Sequence, residues 1–190
     1  QPPEKCPICD AAAVDFKEIE VLVRPERHDV GHERVVVVGA GVAGVSAAEA
    51  VRTHAPEAEI VLLSKEEDLP YLRLNLTRLL AGEFPEKNLP LHAPEWYREQ
   101  DIDFRPGTAA SRIVLTEKAI ELEGGVREPF DKLIVATGSH PFIPPVPGAD
   151  LQNVFTLRTA EDVRNILAVA KPGARVACIG GGILGLETAG

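Results

Sequence analysis

Apolar and polar positions along this chain follow two periods, and the switches between them mark its elements. Val35-Val36-Val37-Val38 is an unbroken β-branched run, the pattern of a strand covered on both faces. It runs into Gly39-Ala40-Gly41-Val42-Ala43-Gly44, after which small and apolar residues recur at helical spacing to about Thr53, short of Pro56. Glu59 to Leu63 predicts the next strand, so the opening reads as strand, glycine turn, helix, strand, the start of a βαβ unit. Residues 85–104 read as a helix bearing Trp96 and Tyr97, with core packing the role expected of Trp96, followed by a short strand at Ile102-Asp103-Phe104. Ile113-Val114-Leu115 predicts a further strand, and residues 119–123 and 126–129 flank Gly124-Gly125 as a hairpin. Phe130 to Val135 is again apolar and ends in Ala136-Thr137-Gly138-Ser139. At the far end the opening design returns: Val176 to Ile179, then Gly180-Gly181-Gly182-Ile183-Leu184-Gly185, then a helix. The fold class is α/β with a Rossmann-type, three-layer core.

The first glycine turn has a chemical reading because each glycine of G-x-G-x-x-G has its own task. Gly39 permits the sharp turn, Gly41 lets a pyrophosphate approach the backbone, and Gly44 lets helix pack on strand. The pyrophosphate then rests on unpaired N–H groups at the positive end of the helix dipole, beside Ala40, Val42 and Ala43. The competing reading is an ordinary strand-to-helix turn. An acid about 20 residues on is expected to hold an adenosine ribose. In Ser64-Lys65-Glu66-Glu67 two acids fall in that window, one of them a plain loop charge.

Composition narrows the partners. The 190 residues carry a net charge of −9, which argues against nucleic acid or an anionic membrane. No apolar run approaches the ~20 residues of a membrane span. Three cysteines do not form a disulfide framework, so a reducing cytoplasm is expected. Methionine is absent even at position 1, and the chain is expected to begin partway into a longer one.

Cys6-Pro7-Ile8-Cys9 can present two thiolates to one metal, but two ligands do not complete a tetrahedral site. A solvent-exposed redox pair and a chance pair are the other readings. With Phe16 following, the stretch resembles the second iron knuckle of rubredoxins, with Asp10 where a glycine usually stands. That resemblance implies iron, or zinc, at an incomplete four-cysteine site. Residues 1–19 are then a partial knuckle and 20–33 a polar, proline-broken linker, in which His28 and His32 read as solvated.

Leu69-Pro70-Tyr71-Leu72-Arg73-Leu74-Asn75-Leu76-Thr77-Arg78 resembles the P-Y-x-R-P-x-L-[ST]-K signature of two-domain FAD/NAD reductases. These include rubredoxin and ferredoxin reductases, the flavoprotein part of nitrite reductases, and apoptosis-inducing factor, within the pyridine nucleotide-disulfide oxidoreductase superfamily. The resemblance implies that Arg73 contacts the FAD diphosphate and that Arg78, in place of lysine, lies near the flavin ring. Ala-Thr-Gly at 136–138 matches a second signature, placing Thr137 and Gly138 beside FAD, and Ala110 matches a backbone contact to adenine. In the second glycine turn Gly180, Gly182, Ile183, Leu184 and Gly185 match an NAD(H) or NADP(H) site, and Glu187 a glutamate facing Arg78 near the flavin. Cys178 reads as a buried strand residue. No cysteine lies between Cys9 and Cys178, so the flavin has no thiol partner in this stretch.

The implied organisation is an FAD-binding part over 34–148 and the start of an NAD(P)-binding part over 149–190. The implied activity is an FAD-dependent NAD(P)H oxidoreductase passing electrons to a small iron protein, rubredoxin first, with no side chain named as acid or base. The alternatives are the flavoprotein module of an NAD(P)H nitrite reductase and a non-enzymatic flavin-binding interaction protein. Because the chain stops inside the last helix, residues 175–190 are expected not to be stable by themselves.

Overall fold

The computed structural model describes residues 32–189. The cysteine knuckle and the linker histidine His28 lie outside them. The elements run β1 (Arg34–Val38), α1 (Val42–His54), β2 (Glu59–Leu63), α2 (Asn75–Leu80), α3 (Pro94–Glu99), β3 (Ile102–Arg105) and β4 (Ala110–Val114). They continue with β5 (Ala119–Leu122), β6 (Arg127–Pro129), β7 (Lys132–Val135), α4 (Ala160–Val169) and α5 (Ile183–Ala189).

Four strands form a parallel sheet in the order β3-β2-β1-β7, with Val36 paired to Val61 on one side and to Leu133 on the other. The strand with the longest β-branched run is therefore central. Its pleat divides the core in two. Val36 and Val38, with Val61 and Leu63, pack on Ile120, Leu122 and Phe130 of the second layer, while Val37, with Ile60 and Leu62, packs on Val45 and Ala48 of α1 and on Tyr97 of α3. Each such side chain contributes about 1.5–3 kcal/mol of apolar burial. The second layer is an antiparallel meander, β4-β5-β6. Helices, parallel sheet and meander make the three layers expected.

The layers are also pinned by charge. Glu128 on β6 is 5 % exposed and takes Arg34 of β1 and Arg105 of β3 on its two oxygens. A smaller core joins α2 to α4, with Tyr71, Leu76, Leu79 and Leu89 against Ala160 and Val163.

The predicted strand Val176–Ile179 is not formed, and Val176 and Ile179 are 84 % and 88 % exposed. Cys178 is exposed too, a correction to its expected place in the core. An apolar strand is stable only when neighbours complete its ladder and helices cover its faces. Among the described residues nothing does either for 176–179. Conversely, α4 was not legible from apolar period alone. It begins with a reciprocal cap in which Thr159 accepts from the Asp162 N–H (3.1 Å) and Asp162 accepts from the Thr159 N–H (2.8 Å).

Candidate functional site

The three glycines at the head of α1 answer to three different constraints. Gly39 leaves β1 at φ +103°, and a Cβ there would lie 2.3 Å from the Ala136 carbonyl oxygen and 2.9 Å from the Thr137 Cα. A Cβ on Gly44 would lie 1.8 Å from the Gly39 carbonyl oxygen. Both positions are closed to any side chain by backbone that cannot move away. Gly41 is different. Its φ of −74° and ψ of −175° suit any residue, and a Cβ there would meet nothing within 4 Å. Its reason for being glycine is not found among the described residues. The space lies at the N-terminus of a 13-residue helix whose N-cap makes no side-chain hydrogen bond. The first helical bond is the Val45 N–H to the Gly41 carbonyl (3.0 Å), so the N–H groups of Val42, Ala43 and Gly44 have no acceptor within α1. Open space in front of free amides at the positive end of a helix suits a phosphate.

A cleft beside Ala40 and Gly41 is walled by Ser64, Glu66, Pro70, Tyr71 and Arg73. The loop after β2 is folded by Ser64, whose hydroxyl donates to the Glu66 carbonyl (2.9 Å). This turns the Glu66 carboxylate toward Arg73, with which it is ion-paired, and toward the Tyr71 hydroxyl. Burial is the largest single influence on Arg73 and opposes its charge, but the bond to Glu66, the Glu66 charge and Tyr71 together outweigh it and raise the guanidinium pKa. Burial, then the bond to Glu66, pushes the Tyr71 phenol well above its ordinary pKa. Of the two acids in the ribose window, Glu66 alone lines the cleft. Glu67 is exposed and lies against Gly107, and Lys65 is exposed outside the cleft.

Other residues singled out from sequence take these positions. Ala110 opens β4, just past Thr108, whose N–H bonds to the Ser64 carbonyl (2.6 Å) at the end of β2. Thr137 and Gly138 follow β7, with Thr137 packed on Gly39 and Gly138 at φ +68°. Arg78, which the resemblance sets facing Glu187, makes no hydrogen bond to it among the described residues. Arg78 bonds Glu83 (2.7 Å), and it is Thr77 whose hydroxyl lies 3.4 Å from Glu187 Oε2. Adjacent residues of α2 point about 100° apart. The buried Thr77 takes the inner direction and the exposed Arg78 the outer, where Glu83 lies just past Gly82.

The second glycine turn repeats the first in its internal geometry. Gly180 has φ +126°, Gly182 has open space, and a Cβ on Gly185 would lie 1.9 Å from the Gly180 carbonyl oxygen. Ile183 and Leu184, at the start of α5, are exposed. Among the described residues no cluster of three or more His, Cys, Asp or Glu side chains forms a metal site, and no helix is long and apolar enough to cross a membrane. Sequence reasoning assigned no role to Tyr71 and did not single out Arg158. The capping pattern Thr159-x-x-Asp162 was the available signal for the element that brings the Arg158 carbonyl to Arg73.

A family model described as pyridine nucleotide-disulphide oxidoreductase matches residues 33–190. The chain is 36% identical over 161 residues to the nitrite reductase [NAD(P)H] of Bacillus subtilis, covering 84% of this chain and 20% of that protein. It is 35% identical over 155 residues to the ferredoxin reductase component of the chlorobenzene dioxygenase of a Cupriavidus species, covering 82% of this chain and 38% of that protein. Among solved structures it resembles the NADH:rubredoxin oxidoreductase of Clostridium acetobutylicum, with a TM-score of 0.75 at 31% identity over 83% of this chain and 41% of that one. The chain thus spans between a fifth and about two fifths of the length of these proteins.

Proposed function

From the premise that this chain belongs to the pyridine nucleotide-disulphide oxidoreductase family, we propose that it is the FAD-binding part, with the start of the NAD(P)H-binding part, of a flavoprotein NAD(P)H oxidoreductase. The observation that carries the reading is Gly41, a glycine with ordinary backbone and an empty volume before free helix amides. A dinucleotide diphosphate fills that volume and explains the residue. In this reading the turn Gly39–Gly44 and Arg73 hold the diphosphate, Glu66 takes the ribose with Lys65 at its rim, and the Ala110 backbone meets the adenine. Thr137 and Gly138 border the flavin end, where Arg78 and Glu187 stand near the ring without pairing to each other. The second turn, Gly180 with Gly182 to Gly185, holds the nicotinamide dinucleotide. Residues 34–148 and 149–190 are the two corresponding parts.

FAD held there would supply the redox chemistry of a hydride acceptor and single-electron donor. The chain's own residues bind, orient and exclude water. We assign the electron acceptor as a small iron protein, rubredoxin first, in the cytoplasm. The named reductases among the relatives and the Cys6/Cys9 pair, read as half of an iron or zinc site, support this choice. A second reading, the flavoprotein module of a nitrite reductase, is favoured by the Bacillus subtilis relative, and a sirohaem domain in the whole protein would select it.

Gly41→Val in the whole protein tests the site. Because a Cβ there meets nothing within 4 Å among the described residues, the variant should fold as the parent does by circular dichroism. Its affinity for FAD, titrated into apoprotein by flavin fluorescence, should fall by about a hundredfold, equivalent to roughly 2.7 kcal/mol. Unchanged affinity would remove the diphosphate from this turn.

A further inference from the structure

Tyr71 has no part in the reading above, yet its hydroxyl is where three stretches of chain meet. The residue is 5 % exposed, within the small core of Leu76, Leu79 and Val163. Its O–H donates to Glu66 Oε2 (2.5 Å), and its oxygen accepts from Arg73 Nη1 (3.2 Å) and from the Ala160 N–H (2.9 Å). A phenol has one proton to give and two lone pairs to offer, so this oxygen is fully used.

The Ala160 bond is the informative one. Ala160 is the first residue of α4, behind its N-cap Thr159, where a helix supplies its own N–H with no acceptor. It is also completely buried, so water does not serve it either. The phenol of Tyr71 does. Arg73 reinforces the junction by donating to the Arg158 carbonyl (2.7 Å), and the Arg158 side chain donates to the Ser139 carbonyl (3.0 Å) just past Thr137 and Gly138. The segment that leads into α4 is thereby tied to Arg73 of the cleft and to the chain just past β7.

We infer that Tyr71 is a positioning residue for the dinucleotide site, its hydroxyl holding Arg73 in place, directly and through the Glu66 carboxylate paired with Arg73, while fastening the start of α4 to it. The inference rests on the reading of Arg73 as a diphosphate ligand. It differs from a packing role for Tyr71, because packing needs the ring and not the oxygen.

Tyr71→Phe keeps the ring and removes the oxygen, and the test compares it with Arg73→Ala and with the double variant in the whole protein. FAD affinity should fall by about tenfold in Tyr71→Phe and by roughly ten- to hundredfold in Arg73→Ala. If Tyr71 acts through Arg73, the double variant should bind FAD within about twofold of Arg73→Ala alone. A tenfold loss that persists undiminished in the Arg73→Ala background overturns the inference. So does parental affinity in Tyr71→Phe beside a weakened Arg73→Ala, which would leave the diphosphate reading standing. Parental affinity in Arg73→Ala removes that reading and this inference with it. One measurement needs no variant: the Ala160 amide of the parent should exchange with deuterium as slowly as amides inside α4. Exchange at the rate of an open first-turn amide overturns the inference.

Discussion

At the scale of single residues, buried polar atoms show where the fold is satisfied and where it is not. Tyr71 spends its hydroxyl completely, while the Tyr97 hydroxyl, equally buried, finds no hydrogen-bond partner among the described residues. The Tyr97 ring is kept for packing: it stacks on Phe104 at 5.0 Å and meets Trp96 edge-on at 5.0 Å. An unpaired buried hydroxyl costs about 1–3 kcal/mol. Tyr97→Phe should therefore leave urea stability unchanged or raise it by up to about that amount, and a clear loss would mean the hydroxyl has a partner. Burial, and then the nearby Glu49 charge, pushes the Tyr97 phenol up to about 12. The raised value favours the neutral phenol in the folded state, so its contribution is complete below pH 10 and is lost as pH rises through about 12. Tyr97→Phe should lack this share of the alkaline loss and keep the part that the raised Tyr71 phenol contributes.

At the scale of elements, the meander is bound to the parallel sheet by one carboxylate. Glu128 sits between Arg34 and Arg105, which come from the first and third strands of the chain and lie far apart in sequence. Removing it strands two partly buried guanidinium groups. Arg34 keeps an exposed partner in Glu59, and Arg105 keeps Asp103. That cushions the loss, and Glu128→Ala should cost about 2–3 kcal/mol in urea unfolding. A change within about 0.5 kcal/mol would show that Ile120, Leu122 and Phe130 hold the layers without help. Period in the sequence marks each of these strands as a strand. It says nothing of the ion pair, because a glutamate in a short hairpin arm looks like any solvated charge.

At the scale of the whole molecule, the two glycine turns make a controlled comparison. Their internal geometry agrees, with close approaches of 1.8 Å and 1.9 Å between a Cβ and a carbonyl oxygen. Their surroundings differ. Gly39 packs against the Ala136–Thr137 backbone beyond β7, whereas nothing lies within 4 Å of a Cβ on Gly180. The first turn follows a strand paired on both sides, and the second follows a segment that pairs with no strand among the described residues. Hydrogen exchange on these 190 residues should accordingly protect the amides of Val36 and Val37 strongly and those of Val176 to Ile179 hardly at all. Comparable protection in both segments would mean that the chain supplies cover for the second strand.

Local pattern by itself determined β1, α1, β2 and β7 and the residues of the first glycine turn. A run of valines, a glycine spacing and a helical period each act within a few residues, where the chain's own sterics leave little choice. Spacing from the glycine turn likewise brought Glu66 to attention, and sequence resemblance Arg73, and both line one cleft with Gly41. Only the tertiary structure decided which of two neighbouring acids enters that cleft, that Arg78 turns to Glu83 while Thr77 approaches Glu187, and that one phenol joins Glu66, Arg73 and the head of α4. Those outcomes depend on groups up to 110 positions apart along the chain, and on which direction each side chain finds already filled.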